Sequence, residues 1–305
     1  MPSCLIAELP NLKPNMLWSL LISLTIAYGV VLALVYVFQS RLVYFPEIGR
    51  EAAGTPLDRG LAFEPVVIAT ADGEKLSAWW VPAGSARGTA LIFHGNAGNI
   101  SHRIDYLAMF HRLGYSSLII DYRGYGRSTG SPSEDGTYRD AQAAWRWLTA
   151  ERGVKAGDVV LLGESLGGAV AAWLAARVTP RALVLASVLT SAPGLGAQVY
   201  PFLPVRLISR FSYDTLGALK SVNAPVLVAH SPEDDIIPFT HGRTLYEAAK
   251  EPKQFIEMSG GHNDGLLFTR QEWVAQLSAF LERAAATGRS RPDKPAGTDI
   301  KENAP

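Results

Sequence analysis

The stretch DVVLLGESLGGAVAAWLAARV, residues 158–178, decides the fold of this chain. Four apolar residues run straight into GESLG, and a long series of small and apolar residues follows it. This pattern predicts a buried strand, a sharp turn and a helix that packs close to the strand. A serine on such a turn takes a strained backbone, so Gly163 and Gly167 must lack side chains. Ser165 is therefore the candidate nucleophile.

A second segment, GRSTG at 126–130, fits the same Gly-x-Ser-x-Gly pattern. Its Ser128 follows a loop of glycine, tyrosine and arginine and precedes SPSEDG, which predicts neither a strand nor a helix. The context favours Ser165. The alternative is that GESLG is a tight glycine-rich turn whose serine is incidental.

Strand and helix patterns alternate on both sides of this stretch. Strands are predicted at 64–70, 76–82, 89–94, 116–122, 158–163, 181–187, 224–230 and 253–258. Helices are predicted at 101–113, 137–151, 166–178, 240–250 and 270–286. Five of the strands are almost continuously apolar, as in parallel strands covered on both faces. The fold predicted is a doubly wound, mostly parallel α/β sheet of eight strands, whose site lies at the carboxyl ends of the strands.

A serine nucleophile needs a base, and six histidines compete for that role. His262 lies in SGGHND, a glycine-rich loop after the last strand, and is the predicted base. His102, His111 and His241 fall on predicted helices, where solvated surface roles are expected. His230 ends a strand and is expected to brace the loop that follows it.

The acid that orients the base is expected in SPEDD, residues 231–235, directly after the strand 224–230. This segment offers Glu233, Asp234 and Asp235, and two of the three are expected to belong to a polar surface turn. The pattern of the residues alone leaves the choice among the three open.

Hydrolysis of an acyl group also needs donors for the oxyanion. The backbone N–H of Leu166, directly after the serine, is one candidate. The loop HGNAGNIS at 94–101 offers Asn96 as the second, through its backbone N–H and with a side chain that could contribute. The alternative is a loop that serves only to enter the next helix, which Asn99 or Ser101 would cap.

The N-terminal region carries no charged residue between Lys13 and Arg41. Within it, residues 17–38 are almost wholly apolar and about 33 Å long as a helix, which matches the hydrocarbon core of a bilayer. The prediction is a single-pass membrane helix at 17–38 after a short segment at 1–16; a cleaved signal peptide is the alternative. The basic residues beyond the span favour a cytoplasmic domain. One domain is expected at 41–288, followed by a disordered tail at 289–305.

Composition excludes other classes of protein. Lys plus Arg and Asp plus Glu each total 28, so no net positive field would attract nucleic acid. Cys4 is the one cysteine, which excludes an intrachain disulfide and a zinc site built on cysteines. Neither a metal nor a cofactor is expected.

From about Arg41 to Leu281 the chain resembles an α/β-hydrolase. It is most similar to the membrane-anchored branch that includes eukaryotic protein depalmitoylases and their bacterial relatives, some of them labelled serine aminopeptidase-like. The matching segments are FHGNAGN (93–99), DYRGYGRSTGSPSE (121–134), GESLGG (163–168), H-x-x-x-D-x-x-I-P (230–238) and GGHND (260–264).

The resemblance implies a triad of Ser165, Asp234 and His262, in the family's chain order, with Asp234 preferred over Asp235. The family's usual glycine after His230 is a serine in this chain. In the family, DYRGYG is a structural loop, so Asp121 is not expected to be catalytic, and neither is the serine of the second Gly-x-Ser-x-Gly match.

The function implied is a serine hydrolase that cleaves an ester or thioester of a small acyl or lipid-like substrate at the membrane. A peptidase or amidase using the same residues is one alternative, and a catalytically silent binding protein on the same fold is another. A short cap is expected at about 191–215. Its Tyr200, Phe202 and Leu203 would contact the acyl chain or would belong only to the core.

Overall fold

The structure of the protein, a computed structural model, describes residues 14–289. The predicted tail at 289–305 lies outside the described residues except for its first residue. The predicted N-terminal segment at 1–16 lies outside them except for its last three residues, which belong to the first helix.

An eight-stranded sheet forms the centre of the domain. In chain order its strands are β1 (Glu64–Ala69), β2 (Lys75–Val81), β3 (Thr89–Phe93), β4 (Ser116–Ile120), β5 (Val159–Glu164), β6 (Ala182–Ala186), β7 (Val226–His230) and β8 (Lys253–Glu257). Their order in space is β1-β2-β4-β3-β5-β6-β7-β8. β1 and β2 pair antiparallel, as do β2 and β4, and the other neighbours are parallel. The predicted eight strands and the mostly parallel sheet are confirmed.

Nine α-helices accompany the sheet in residues 14–289. They are α1 (Pro14–Val43), α2 (Ile104–Arg112), α3 (Glu134–Arg146), α4 (Leu166–Ala175), α5 (Ala192–Val199), α6 (Val205–Ile208), α7 (Thr215–Leu219), α8 (Phe239–Ala248) and α9 (Gln271–Arg289). The five predicted domain helices correspond to α2, α3, α4, α8 and α9. The segment predicted as a cap holds α5 and α6 and reaches the first residue of α7.

Apolar clusters cover both faces of the sheet, which is why the central strands are continuously apolar. In β3, Leu91 and Phe93 belong to one cluster and Ala90 and Ile92 to the other, and all four side chains are buried. Alternate residues of a strand point to opposite faces. Residues of α3, α4 and α8 complete the first cluster, and residues of α2 and α9 complete the second. The doubly wound architecture is thereby confirmed.

Helix α1 is long and apolar enough to cross a membrane. None of the residues in its apolar 18-residue stretch is buried inside the protein. The helix extends three residues before and five residues beyond the predicted span. Near its C-terminal end, Gln39 is buried: its amide donates to the carbonyl of Ile208 (2.6 Å) and accepts from the N–H of Arg210 (2.8 Å). The domain boundary expected at residue 41 therefore falls inside α1. This contact joins segments about 170 residues apart, which sequence periodicity does not register.

Candidate active site

Ser165 lies between the end of β5 and the start of α4, at the carboxyl edge of the sheet. Its backbone has φ 53° and ψ −122°, a conformation that costs free energy in a non-glycine residue. A Cβ at Gly163 would lie 2.4 Å from the backbone of residues 167 and 168, and one at Gly167 would lie 2.3 Å from the carbonyl oxygen of Phe93. The two glycines are therefore required, as the sequence pattern predicted.

Three side chains from separate loops meet at this turn. The Nε2 atom of His262 lies 3.0 Å from Oγ of Ser165. Its other nitrogen, Nδ1, lies 2.9 Å from Oδ2 of Asp234. Asp234 follows β7 and His262 follows β8, so each residue sits just beyond the carboxyl end of a strand. The structure brings the predicted nucleophile, base and acid into one hydrogen-bonded series.

Asp234 is held as a carboxylate. Burial alone would raise its pKa, but hydrogen bonds from His230 and His262 and from the backbone N–H of Ile237 outweigh burial and lower the pKa below its usual value. Its side chain is fully buried, and the imidazole of His262 is largely so. A buried carboxylate opposite Nδ1 favours the tautomer that protonates Nδ1 and leaves Nε2 free to accept a proton.

The two other acidic residues of this loop also hold the histidine loop. Oε2 of Glu233 accepts from the N–H of Gly260 (2.8 Å), and Oδ1 of Asp235 accepts from the N–H of His262 (2.9 Å). Glu233 and Asp235 are exposed in a turn, as expected, and in addition each holds the loop that carries His262. The sequence could not show this, because the partners lie 27 residues away along the chain.

The remaining histidines divide between support and surface. His230 is buried, and its Nε2 lies 2.9 Å from the carbonyl of Ile237 and 3.3 Å from Oδ2 of Asp234, so it braces the acid loop as predicted. His102 and His111 are exposed, as predicted. His241 is buried and accepts from the N–H of Thr190 (3.0 Å), so the surface role expected for it is wrong.

The loop after β3 borders the nucleophile. A Cβ at Gly95 would lie 3.4 Å from Cβ of Ser165. The backbone N–H groups of Asn96 and Leu166 have no hydrogen-bond acceptor within residues 14–289. Leu166 is the first residue of α4, where an N–H has no partner inside the helix. Both N–H groups are thus free to act as the predicted oxyanion donors.

The Asn96 side chain is not free. Its Nδ2 donates to the backbone carbonyl of Val43 (3.0 Å). The backbone carbonyl of Asn96 accepts from the N–H of Phe45 (3.0 Å). The side-chain contribution considered for the oxyanion is therefore excluded in this arrangement. Asn99 caps the following turn by accepting from the N–H of Ser101 (2.9 Å).

Beneath the loop lies a set of buried polar groups that sequence reasoning missed. Oε1 of Glu164, the residue before the nucleophile, accepts from Nε (3.0 Å) and Nη2 (2.7 Å) of Arg103. His94 is fully buried 3.7 Å from Asp121, and burial lowers its pKa to about 3. Burial raises the pKa of Asp121 to about 7, against hydrogen bonds such as that from the N–H of Ile100. These groups hold the loop after β3, and no sequence motif indicates the ion pair between Arg103 and Glu164.

Ser128, the serine of the second motif, has a structural role. Its hydroxyl donates to the carbonyl of Asp121 (2.8 Å) and accepts from the N–H of Ser77 (2.8 Å). It therefore joins β2 to the loop after β4, as the family pattern implied for this segment.

The cap residues predicted to touch substrate lie at the surface or half-buried. Tyr200 and Phe202 are exposed and pack edge to face with a centroid distance of 6.3 Å, and Leu203 is half-buried. Their part in substrate binding stays a prediction. Within the described residues, no group of three or more His, Cys, Asp or Glu side chains is placed to hold a metal ion.

Comparison with known proteins agrees with the fold of this chain. A family model described as alpha/beta hydrolase fold matches residues 90–286. An uncharacterized protein of Mycobacterium tuberculosis is 40% identical over 268 residues, which is 87% of this chain and 94% of that protein. An uncharacterized membrane protein of Saccharomyces cerevisiae is 33% identical, covering 77% of this chain and 86% of its own. Among solved structures, a Pyrococcus furiosus esterase has the same fold, with a TM-score of 0.65 and 22% identity over 77% of this chain and 96% of that one.

Proposed function

The chain belongs to the alpha/beta hydrolase family, and from that premise we propose that it is a membrane-anchored serine hydrolase that cleaves a carboxylic ester or thioester. The observation that carries the proposal is the series of contacts from Asp234 through His262 to Ser165, with distances of 2.9 and 3.0 Å. A serine hydroxyl is a weak nucleophile until an adjacent base removes its proton. This geometry supports that chemistry without a cofactor.

In the first half-reaction, Oγ of Ser165 attacks the acyl carbon while its proton passes to Nε2 of His262. Negative charge then forms on the former carbonyl oxygen, where the N–H groups of Asn96 and Leu166 can bind it. Asp234 stabilises the imidazolium. The carbon–oxygen or carbon–sulfur bond breaks, and His262 returns the proton to the departing alkoxide or thiolate.

In the second half-reaction, water attacks the acyl-serine. His262 accepts a proton from the water, and the same two N–H groups bind the oxyanion again. Collapse of the tetrahedral intermediate releases the carboxylic acid and returns the proton to Oγ of Ser165. Each proton taken up by the imidazole is given back, so the cycle closes without another reactant.

An assay with matched substrates tests the proposal. The purified full chain in detergent micelles is given p-nitrophenyl butyrate, a butyryl thioester and butyryl p-nitroanilide, and the Ser165→Ala variant is the control. We expect burst release of p-nitrophenol equal to one acyl group per chain, followed by turnover that the variant lacks. Preference for the anilide would instead identify an amidase. No turnover of any substrate by a folded wild-type protein would favour the silent binding protein.

Membrane anchoring through α1 is part of the same proposal. The helix is exposed along its apolar length, and a bilayer would satisfy this surface. We expect the full chain to stay with membranes after carbonate extraction at alkaline pH. Release into the supernatant, or a mature protein that has lost its first 40 residues, would contradict the anchor.

A further inference from the structure

The segment 199–208, which we name the cap tip, runs along α1. The hydroxyl of Tyr28 donates to the carbonyl of Phe202 (2.8 Å). At the other end, the amide of Gln39 donates to the carbonyl of Ile208 (2.6 Å). Eleven residues separate Tyr28 from Gln39, which is about 16 Å along a helix. The cap tip therefore lies beside the C-terminal half of the apolar helix.

The contact between Tyr28 and Phe202 lies deep within the predicted membrane span at 17–38. Tyr28 lies near the middle of that span, ten residues and about 15 Å before Phe38. A bilayer has a hydrocarbon core of about 30 Å. If the bilayer surrounds the span, the backbone at Phe202 lies below the headgroups and within the apolar layer.

The side chains of the cap tip suit that environment. Beyond α1, the described residues expose eight large apolar side chains, and four of them fall within 199–207: Val199, Tyr200, Phe202 and Leu207. Phe202 is 68% exposed and Leu207 is 87% exposed. Such a concentration in nine residues marks an interaction site rather than scattered surface positions.

Most backbone N–H groups of the cap tip are either absent or paired within the protein. Pro201 and Pro204 carry no N–H. Most of the other N–H groups are paired: that of Tyr200 donates to Gly196, that of Leu203 to Tyr200, and those of Leu207 and Ile208 to Pro204. Within residues 14–289, those of Phe202 and Arg206 have no acceptor. Unsatisfied backbone groups are costly in hydrocarbon, so the pairing of most of these N–H groups lowers the cost of placing the cap tip there.

The charged residues near the cap tip are all basic, and they lie at the level expected for the lipid headgroups. Between Ser187 and Tyr213 the charged residues are Arg206 and Arg210, both exposed. The Arg210 guanidinium lies 5.6 Å from the ring centroid of Tyr36, near the end of the predicted span. Arginine and tyrosine are favoured where the apolar layer meets water, and arginine also attracts anionic lipids.

We propose that the cap tip inserts into the bilayer beside α1 and forms a second membrane contact of this protein. Its occupant is the acyl-chain region of the leaflet nearest the domain. The inference rests on the proposed anchoring by α1. It adds that the domain is held against the membrane on two elements, with the tip of the predicted cap immersed rather than facing water.

Depth-dependent fluorescence quenching tests the proposal on the full chain in liposomes. Cys4→Ser removes the one native cysteine, and Leu207→Cys then receives an environment-sensitive fluorophore. Val67→Cys is the matched control, since Val67 is 70% exposed on β1 and also apolar. Val30→Cys, within α1, reports on the anchor itself. Each label is exposed to spin-labelled lipids with the quencher at the headgroup or along the acyl chain, and separately to aqueous iodide.

We expect acyl-chain quenchers to reduce the fluorescence of the 207 and 30 labels severalfold more than that of the 67 label, and iodide to do the reverse. Iodide quenching at 207 with lipid quenching at 30 would overturn the cap-tip insertion and leave the anchor intact. Iodide quenching at both positions would overturn both. Protection of 207 from both quenchers would show that another protein or a second copy covers the cap tip, which also contradicts the proposal.

Discussion

At the scale of single residues, His262 is held from two directions. Asp234 contacts Nδ1 of its ring, and Asp235 accepts from its backbone N–H. The ring therefore presents Nε2 to the hydroxyl of Ser165 at 3.0 Å. Sequence context identified His262 and the family pattern identified Asp234, because each follows a strand at the edge where such residues meet. Neither of these signals could assign a role to Asp235, because folding of the two loops is what brings the N–H of His262 to its carboxylate.

Replacing His262 with alanine removes the base. We expect kcat to fall by about 10⁴-fold or more, the order that loss of a triad member produces. His111→Ala is the control, because His111 is exposed on α2, and its activity should equal that of the wild type. Initial rates with p-nitrophenyl butyrate measure both. Activity near the wild-type level in the His262 variant would refute its assignment.

Asp235 acts through the position of His262. Asp235→Ala removes the acceptor for the His262 N–H and should lower kcat by about tenfold, since small displacements of a catalytic group are costly. Asp235→Asn keeps an acceptor oxygen at the same place and should restore most of the rate. KM should be nearly unchanged in both variants. Equal losses in the two variants would show that the carboxylate charge, not the hydrogen bond, matters.

At the scale of elements, the strands could be predicted from sequence. The contacts that attach the cap helices and α1 to the domain could not. Three to five apolar residues in a row mark each central strand, and β5 with GESLG marks the turn. The positions of α5 and α6 and the burial of His241 depend on contacts between distant segments, which periodicity does not encode. The extension of α1 through Gln39 into the domain was missed for the same reason.

Gln39→Ala tests the attachment of α1. The change leaves the carbonyl of Ile208 and the N–H of Arg210 without their partner, at a cost of about 1–3 kcal/mol. Thermal unfolding in detergent micelles should show a Tm lower by about 2–8 °C. Ser40→Ala, at the exposed neighbouring position, should leave Tm unchanged. An unaltered Tm in the Gln39 variant would mean that α1 and the cap are independent.

The β1–β2 turn is tied to the rest of the domain by Asp72. Its carboxylate accepts from Arg123 (2.8 and 3.1 Å) and Arg139 (2.9 Å), and the Arg123 hydrogen bonds hold its pKa below the usual value. Because the folded pKa is the lower one, this carboxylate stabilises the fold above pH 4, and the contribution is lost as pH falls.

Asp72→Asn should therefore reduce the free energy of unfolding by about 1.5–3 kcal/mol at pH 7, and the difference from the wild type should shrink steadily below about pH 4. Unfolding curves at a series of pH values measure it. Asp105→Asn, which removes an exposed ion pair with Arg59, should have little effect at any pH. A deficit that stays constant across the series would contradict the role of ionisation.

At the scale of the whole molecule, the C-terminal end of α1 and the candidate site lie at one edge of the sheet. The chain leaving α1 bonds directly to the loop after β3, where Phe45 donates to the carbonyl of Asn96. The same loop borders Ser165. The family, the eight strands and the three candidate catalytic residues could all be inferred from sequence. The route by which α1 reaches the site could not, because it consists of hydrogen bonds between residues about 50 to 170 positions apart.

The proposed function requires Ser165 to be the nucleophile, and covalent labelling tests that requirement most directly. The full chain is treated with a fluorophosphonate, and the adduct is located by mass spectrometry of peptides. Only a hydroxyl beside a base and an oxyanion site reacts quickly. We expect one adduct per chain, on Ser165, that is lost in Ser165→Ala and kept in Ser128→Ala. An adduct on Ser128, or none on a folded wild-type chain, would contradict the account.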